Sequence, residues 1–195
     1  MAIFPAKVAG QVIECFYQMN LDWKEADMIG YTNTTRECSA SRIHPSLYQA
    51  VREYFQAHQV GDLDTETLLC CETTSEKQNP GKLASLLDGN PDSIVHLAIL
   101  LTAEWLIWAR HGDRSGTLVT GTKLNLIRVK AFVSKRTKDM QLEVSGFMAD
   151  SKEYVRGNLE MGPDAAAQKF CEVVVPAVLK ANPPEKRKFF GLTGS

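Results

Sequence analysis

A chain of 195 residues, 44% hydrophobic and 23% charged, is long enough to bury a core without disulfide or metal staples, and this composition excludes global disorder. The formal net charge of -1 hides an asymmetry: residues 1–104 carry 14 Asp/Glu against 7 Lys/Arg, while residues 110–156 carry 10 Lys/Arg against 5 Asp/Glu. The five cysteines, Cys15, Cys38, Cys70, Cys71 and Cys171, are odd in number and contain no CxxC pair, which argues against a disulfide framework or a zinc site and for a reducing compartment.

In chain order, the segment after Met-Ala-Ile-Phe-Pro has no basic stretch leading into a long apolar one, so no secretory signal is expected. Val8, Val12, Cys15, Phe16 and Met19 recur at spacings of three and four, predicting a helix over Pro5–Met19, and Leu21–Ile29 reads as a second short one. Gly30–Thr35 is turn-rich and reads as a loop. His44-Pro45-Ser46 opens a clearer helix whose inward stripe is Leu47, Val51, Tyr54, Phe55 and His58, with Gly61 as its stop. Helices of this size need something larger to pack on.

The period then changes. Thr65–Thr74 is the first strand candidate, and Gln78-Asn79-Pro80-Gly81 and Asp88–Asp92 bracket a long connection. Ile94–Thr102, Trp105–His111, Thr117–Gly121, Leu124–Val133, Met140–Phe147 and Glu153–Met161 read as successive strands, with turns at 112–116 and 134–139. The apolar stretch Ile94–Trp108 is too short and too polar for a membrane span. Gly162-Pro163-Asp164 opens a last helix with the stripe Ala167, Phe170, Cys171, Val174, Val178 and Leu179; Pro176 is expected to kink it or end its regular part, and the tail from Glu185 reads as flexible.

Six or seven antiparallel strands followed by one long amphipathic helix is a specific order, and Leu100-Leu101-Thr102-Ala103-Glu104-Trp105-Leu106-Ile107-Trp108 within it resembles an early hairpin of bacterial pleckstrin-homology (PH)-like domains. The resemblance covers about residues 65–181. It implies an α+β, mainly β fold: a PH-like antiparallel β-barrel or sandwich over 63–182, capped by its C-terminal helix, with a helical N-terminal extension over 1–62 and a flexible tail over 183–195. The first 60 residues have no counterpart in such domains, and the long stretch Gln78–Asp92 departs from their compact first hairpin. Strand alternation puts Trp105 and Trp108 on opposite faces.

No catalytic constellation is legible. His44, His58, His96 and His111 lack metal-ligand spacing and read as structural or surface residues, and nothing local supports a Cys38–His44 dyad. Gly116–Lys123 resembles a phosphate loop, but Thr122 and Lys123 stand in reversed order and a strand follows where a helix is required. The remaining candidates are basic: Arg114 and Lys123 flank one strand, Arg128 and Lys130 share a strand face, and Lys135, Arg136 and Lys138 crowd the next turn. In many PH domains the basic residues lie around the first hairpin; here they come later, which weighs toward a protein partner.

These features lead to the expectation of a non-enzymatic, cytoplasmic binding or scaffolding module that acts through a protein partner or self-association, with no metal and no cofactor. A membrane-surface adaptor using the basic residues on anionic lipid is the alternative, and an enzyme with an unrecognised site ranks below it. Nucleic acid is disfavoured because the basic segment lacks clustered aromatics.

Overall fold

The computed structural model describes residues 30–78, 91–148 and 154–183. The expected helices over 5–19 and 21–29, most of the long connection after Gln78, and the tail lie outside these residues. Within them the fold is α+β and mainly β.

Strands β1 (Tyr31–Glu37), β2 (Leu69–Lys77), β3 (Ile94–Leu101), β4 (Trp105–Gly112) and β5 (Gly116–Lys123) form an antiparallel sheet in chain order. Strands β6 (Ile127–Val133), β7 (Met140–Phe147) and β8 (Tyr154–Met161) form a second antiparallel sheet. Helix α1 (Pro45–Ala57) and the one-turn helix α2 (Leu63–Glu66) lie between β1 and β2, and α3 (Ala165–Ala181) follows β8.

The large sheet is buried on both faces. On one face, α1 packs across β4 and β5 and presses Leu47, Val51 and Phe55 onto Cys70, Ala98, Leu100, Trp105, Ile107 and Ala109. On the other, Ile99, Leu101, Leu106 and Trp108 meet Ile127, Leu142, Val144 and Leu159 of the small sheet and Ala167, Phe170, Val174 and Val178 of α3. The two tryptophans thus belong to opposite cores, and both are buried. Gly121 lets α1 approach: a Cβ there would sit 2.8 Å from the Tyr54 ring, and the Tyr54 hydroxyl donates to the Gly121 carbonyl at 3.3 Å.

Several elements differ from the sequence reading. Tyr31–Glu37 is a strand rather than a loop. Its inward residues are mostly polar, so apolar alternation does not reveal it, and hydrogen bonds replace apolar contact: Asn33 Nδ2 donates to Asp139 (2.9 Å), the Thr35 amide donates to Asp164 (2.6 Å), and the Gly162 amide donates to Thr35 Oγ1 (2.7 Å). The strand expected from Thr65 begins at Leu69, because Asp62 caps a helical turn by accepting from the Asp64 and Thr65 amides (both 3.1 Å). Leu124–Leu126 is a 3₁₀ turn rather than the start of β6, which buries Leu124 and exposes Leu126. Pro176 does not end α3, which runs on to Ala181, and Leu179 is half exposed instead of inward.

Asp92 holds the end of the large sheet together. Its carboxylate is fully buried and accepts from the Arg114 and Ser115 amides (both 2.8 Å), Ser115 Oγ (2.6 Å) and Arg110 (3.2 Å). Burial raises its pKa, but these donors outweigh burial and hold it below the ordinary carboxylate value. Asp92→Ala strands the donors and is expected to lower stability by about 3 kcal/mol in urea unfolding; a loss under ~1 kcal/mol contradicts the clamp.

Candidate functional site

The structure distributes the seven basic residues over two regions. Arg114 lies in the turn before β5 and Lys123 ends that strand, so the strand's length, roughly 20 Å, separates them. The Lys123 ammonium stands 5.6 Å from the Trp105 ring centroid. The other five gather on the small sheet.

That sheet has one buried and one open face, set by strand alternation. Ile127, Leu142, Val144, Leu159 and Met161 point into the core. The alternate residues face outward, and the register aligns them in rungs: Arg128, Ser145 and Arg156 in one, Lys130, Glu143 and Asn158 in the next. Arg128 and Lys130 are exposed, and Arg156 pairs with Glu143 at 3.1 Å. Beyond the arginine rung, Phe147 opposes Tyr154; the rings meet edge to face at 5.6 Å and are 49% and 62% exposed. Lys135, Arg136 and Lys138 are exposed at the far end, in the β6–β7 turn, where Lys138 adopts φ 66°.

This aromatic pair was missed at the sequence level, since Phe147 and Tyr154 sit on separate strands. Their signal is the hairpin register: residues 140 and 161 pair, and so do 147 and 154.

A second cluster was also missed. His96 and His111 pair across β3 and β4, and His44, just before α1, stacks against both, with centroids 4.3 and 5.3 Å apart and planes within 18°. Below them Glu72, 3% exposed, accepts from the His44 amide (2.9 Å) and from Arg36 Nε and Nη2 (3.1 and 2.6 Å). His96 Nδ1 lies 3.3 Å from Thr74 Oγ1, and His111 Nδ1 2.7 Å from Thr117 Oγ1. Imidazole lone pairs lie in the ring plane, so a face-to-face stack does not converge on one ion; among the described residues no group of three His, Cys, Asp or Glu is arranged to hold a metal. Glu72, already holding Arg36 and an amide, is poorly placed to act as a base.

Gly116–Lys123 is a strand followed by a 3₁₀ turn and another strand, which supplies no helix N-terminus for phosphate. No protein-family model, curated protein or solved structure matches this chain, so the site rests on its own chemistry.

Burial first, then the neighbouring His44, His111 and Arg36, lower the pKa of His96 below its usual 6.5, with Glu72 opposing. The unfolded chain therefore takes up the proton first, and stability is lost as pH falls through about 6.5 toward the folded value. The melting midpoint is expected to drop between about pH 7.5 and about pH 5, and His96→Gln to flatten that drop while changing stability at neutral pH by less than about 1 kcal/mol. An equally steep drop in the variant contradicts the assignment.

Proposed function

We propose that this protein is a non-enzymatic binding module that engages a protein partner on the open face of β6–β8. The observation that carries the reading is the exposed Phe147–Tyr154 pair beside the Arg128–Arg156 rung. Aromatic rings and arginines together are the side chains enriched where proteins meet, because both bury large area with little loss of side-chain freedom per contact made. Lys130 along the same face and Lys135, Arg136 and Lys138 at its far end favour an extended partner segment that carries carboxylates beside apolar side chains.

The seven antiparallel strands β2–β8 and the helix that follows them fall within residues 63–182 and support the PH-like architecture the sequence resembles. No helix among the described residues is long and apolar enough to cross a membrane. The five cysteines, odd in number and without a CxxC pair, support a cytoplasmic setting. The aromatic pair and the basic turn stand at opposite ends of the β6–β7 hairpin, roughly 20 Å apart. A surface that long suits a protein segment lying along the strands better than a membrane touched at one tip.

A photo-crosslinking residue at position 154 is expected to capture a discrete partner that the same residue at Gln49, exposed on α1, does not, and Arg128→Glu is expected to cut that capture at least about fivefold. Equal capture at both positions overturns the reading. Salt-sensitive sedimentation with anionic vesicles, lost in the Lys135→Glu/Arg136→Glu variant, would replace it with the lipid alternative.

A further inference from the structure

We propose that Cys38 and Cys70 are a redox pair that closes into a reversible disulfide when a hydroperoxide reaches Cys38, clipping the edge strand β1 to β2. The two sulfurs stand 3.5 Å apart, and the Cys38 amide donates to the Cys70 carbonyl at 3.2 Å. They continue the β1–β2 register, whose last pair is Glu37 with Cys71. Opposed residues of a hydrogen-bonded antiparallel pair have Cα atoms about 5.5 Å apart, inside the range of about 4.4–6.8 Å that a disulfide spans. The facing register and the 3.5 Å separation of the sulfurs place the pair within reach of closure.

The pair is asymmetric in the way such chemistry requires. Cys38 is partly exposed and Cys70 is buried. The hydrogen bond between the thiols lowers the pKa of Cys38 and raises that of Cys70, so of the two Cys38 gives up its proton first. Arg36, on the preceding rung, favours that charge, while Glu37 and Glu72 oppose it. The Cys38 thiolate attacks a peroxide oxygen, the O–O bond breaks, and the leaving hydroxide is protonated to water (an alcohol from an organic hydroperoxide). The Cys38 sulfenic acid is then attacked by the Cys70 sulfur; the S–S bond forms, the S–O bond breaks, and the Cys70 proton leaves with hydroxide as a second water. Two thiols lose two electrons, which reduce one peroxide. Cys71 points to the other face beside Met161, and Cys171 is buried in the α3 core, so neither competes from the described residues.

The loop this bond would close contains α1 and α2, the whole cover of one sheet face. Oxidation would therefore fasten that cover, a consequence independent of the binding face on β6–β8.

The test treats the folded full-length chain with stoichiometric hydrogen peroxide, blocks free thiols, and digests with trypsin. Cleavage after Arg36 and Arg42 releases Cys38 in peptide 37–42, and cleavage after Arg52 and Lys77 releases Cys70 in peptide 53–77. The expected result is a linked 37–42/53–77 pair, reversible by dithiothreitol, with fragmentation placing the bond on Cys70. The melting midpoint should rise by about 5 °C or more. In Cys70→Ser the link is lost and dimedone traps Cys38 as its sulfenic acid; in Cys38→Ser, a change at a partly exposed site that leaves the core intact, neither product forms. The proposal is overturned if the link is absent, if it forms no faster in the folded chain than in urea, if links to Cys15 predominate, or if it forms with no rise in the melting midpoint.

Discussion

A hairpin that is apolar on both faces has to be covered on both, and that constraint organises this molecule. In β3 and β4, Ala98, Leu100, Ile107 and Ala109 face one way, and Ile99, Leu101, Leu106 and Trp108 the other, all of them buried. Antiparallel sheets often leave one face to water; this one does not. The chain supplies one cover from upstream, α1, and the other from downstream, the small sheet with α3. The central hairpin thereby places α1 and the small sheet on opposite sides of the large sheet. It also leaves the small sheet with one face used for the core and one face free.

At the sheet's edges the same burial is achieved with polar groups. Strand β1 brings Asn33 and Thr35 inside; Thr35 is satisfied by Asp164, Thr73 and the Gly162 amide, and Asn33 donates to Asp139, while its buried Oδ1 has no partner among the described residues. Asp164 shows how local and tertiary roles compete: it stands at the N-cap of α3 yet holds the Thr35 amide instead of capping its own helix. The bonds to Asp139, Asp164 and the Gly162 amide join residues more than 100 positions apart, so the early strand depends on the last hairpin and helix for its place.

The molecule's chemistry then divides by face. On the α1 side of the large sheet, Cys38 with Cys70, Arg36 with Glu72, and the stacked histidines follow one another along β1–β4. On the far side, the open face of β6–β8 exposes aromatics and guanidinium groups. The large sheet and its two cores lie between them, so a change at the redox rung reaches the binding face only through the packing of both cores.

Periodicity determined much of this in advance. Leu47, Val51 and Phe55 announce α1, the alternation of Met140–Phe147 announces β7, and Trp105 and Trp108 are assigned to opposite faces by parity alone, because each of these signals lies within one segment of a dozen residues. The basic residues of β6 and its turn were legible for the same reason. What alternation could not show was β1, whose inward side chains are polar, or the helical turn at Leu63–Glu66, which one cap residue decides. The Phe147–Tyr154 pair, the three-histidine stack and the Cys38–Cys70 rung were decided only by tertiary structure. Each needs a register between separate segments, spanning dozens of residues for His44 with His96 and Cys38 with Cys70 and one hairpin for Phe147 with Tyr154, and that register is set by burial across the whole fold rather than within any one stretch.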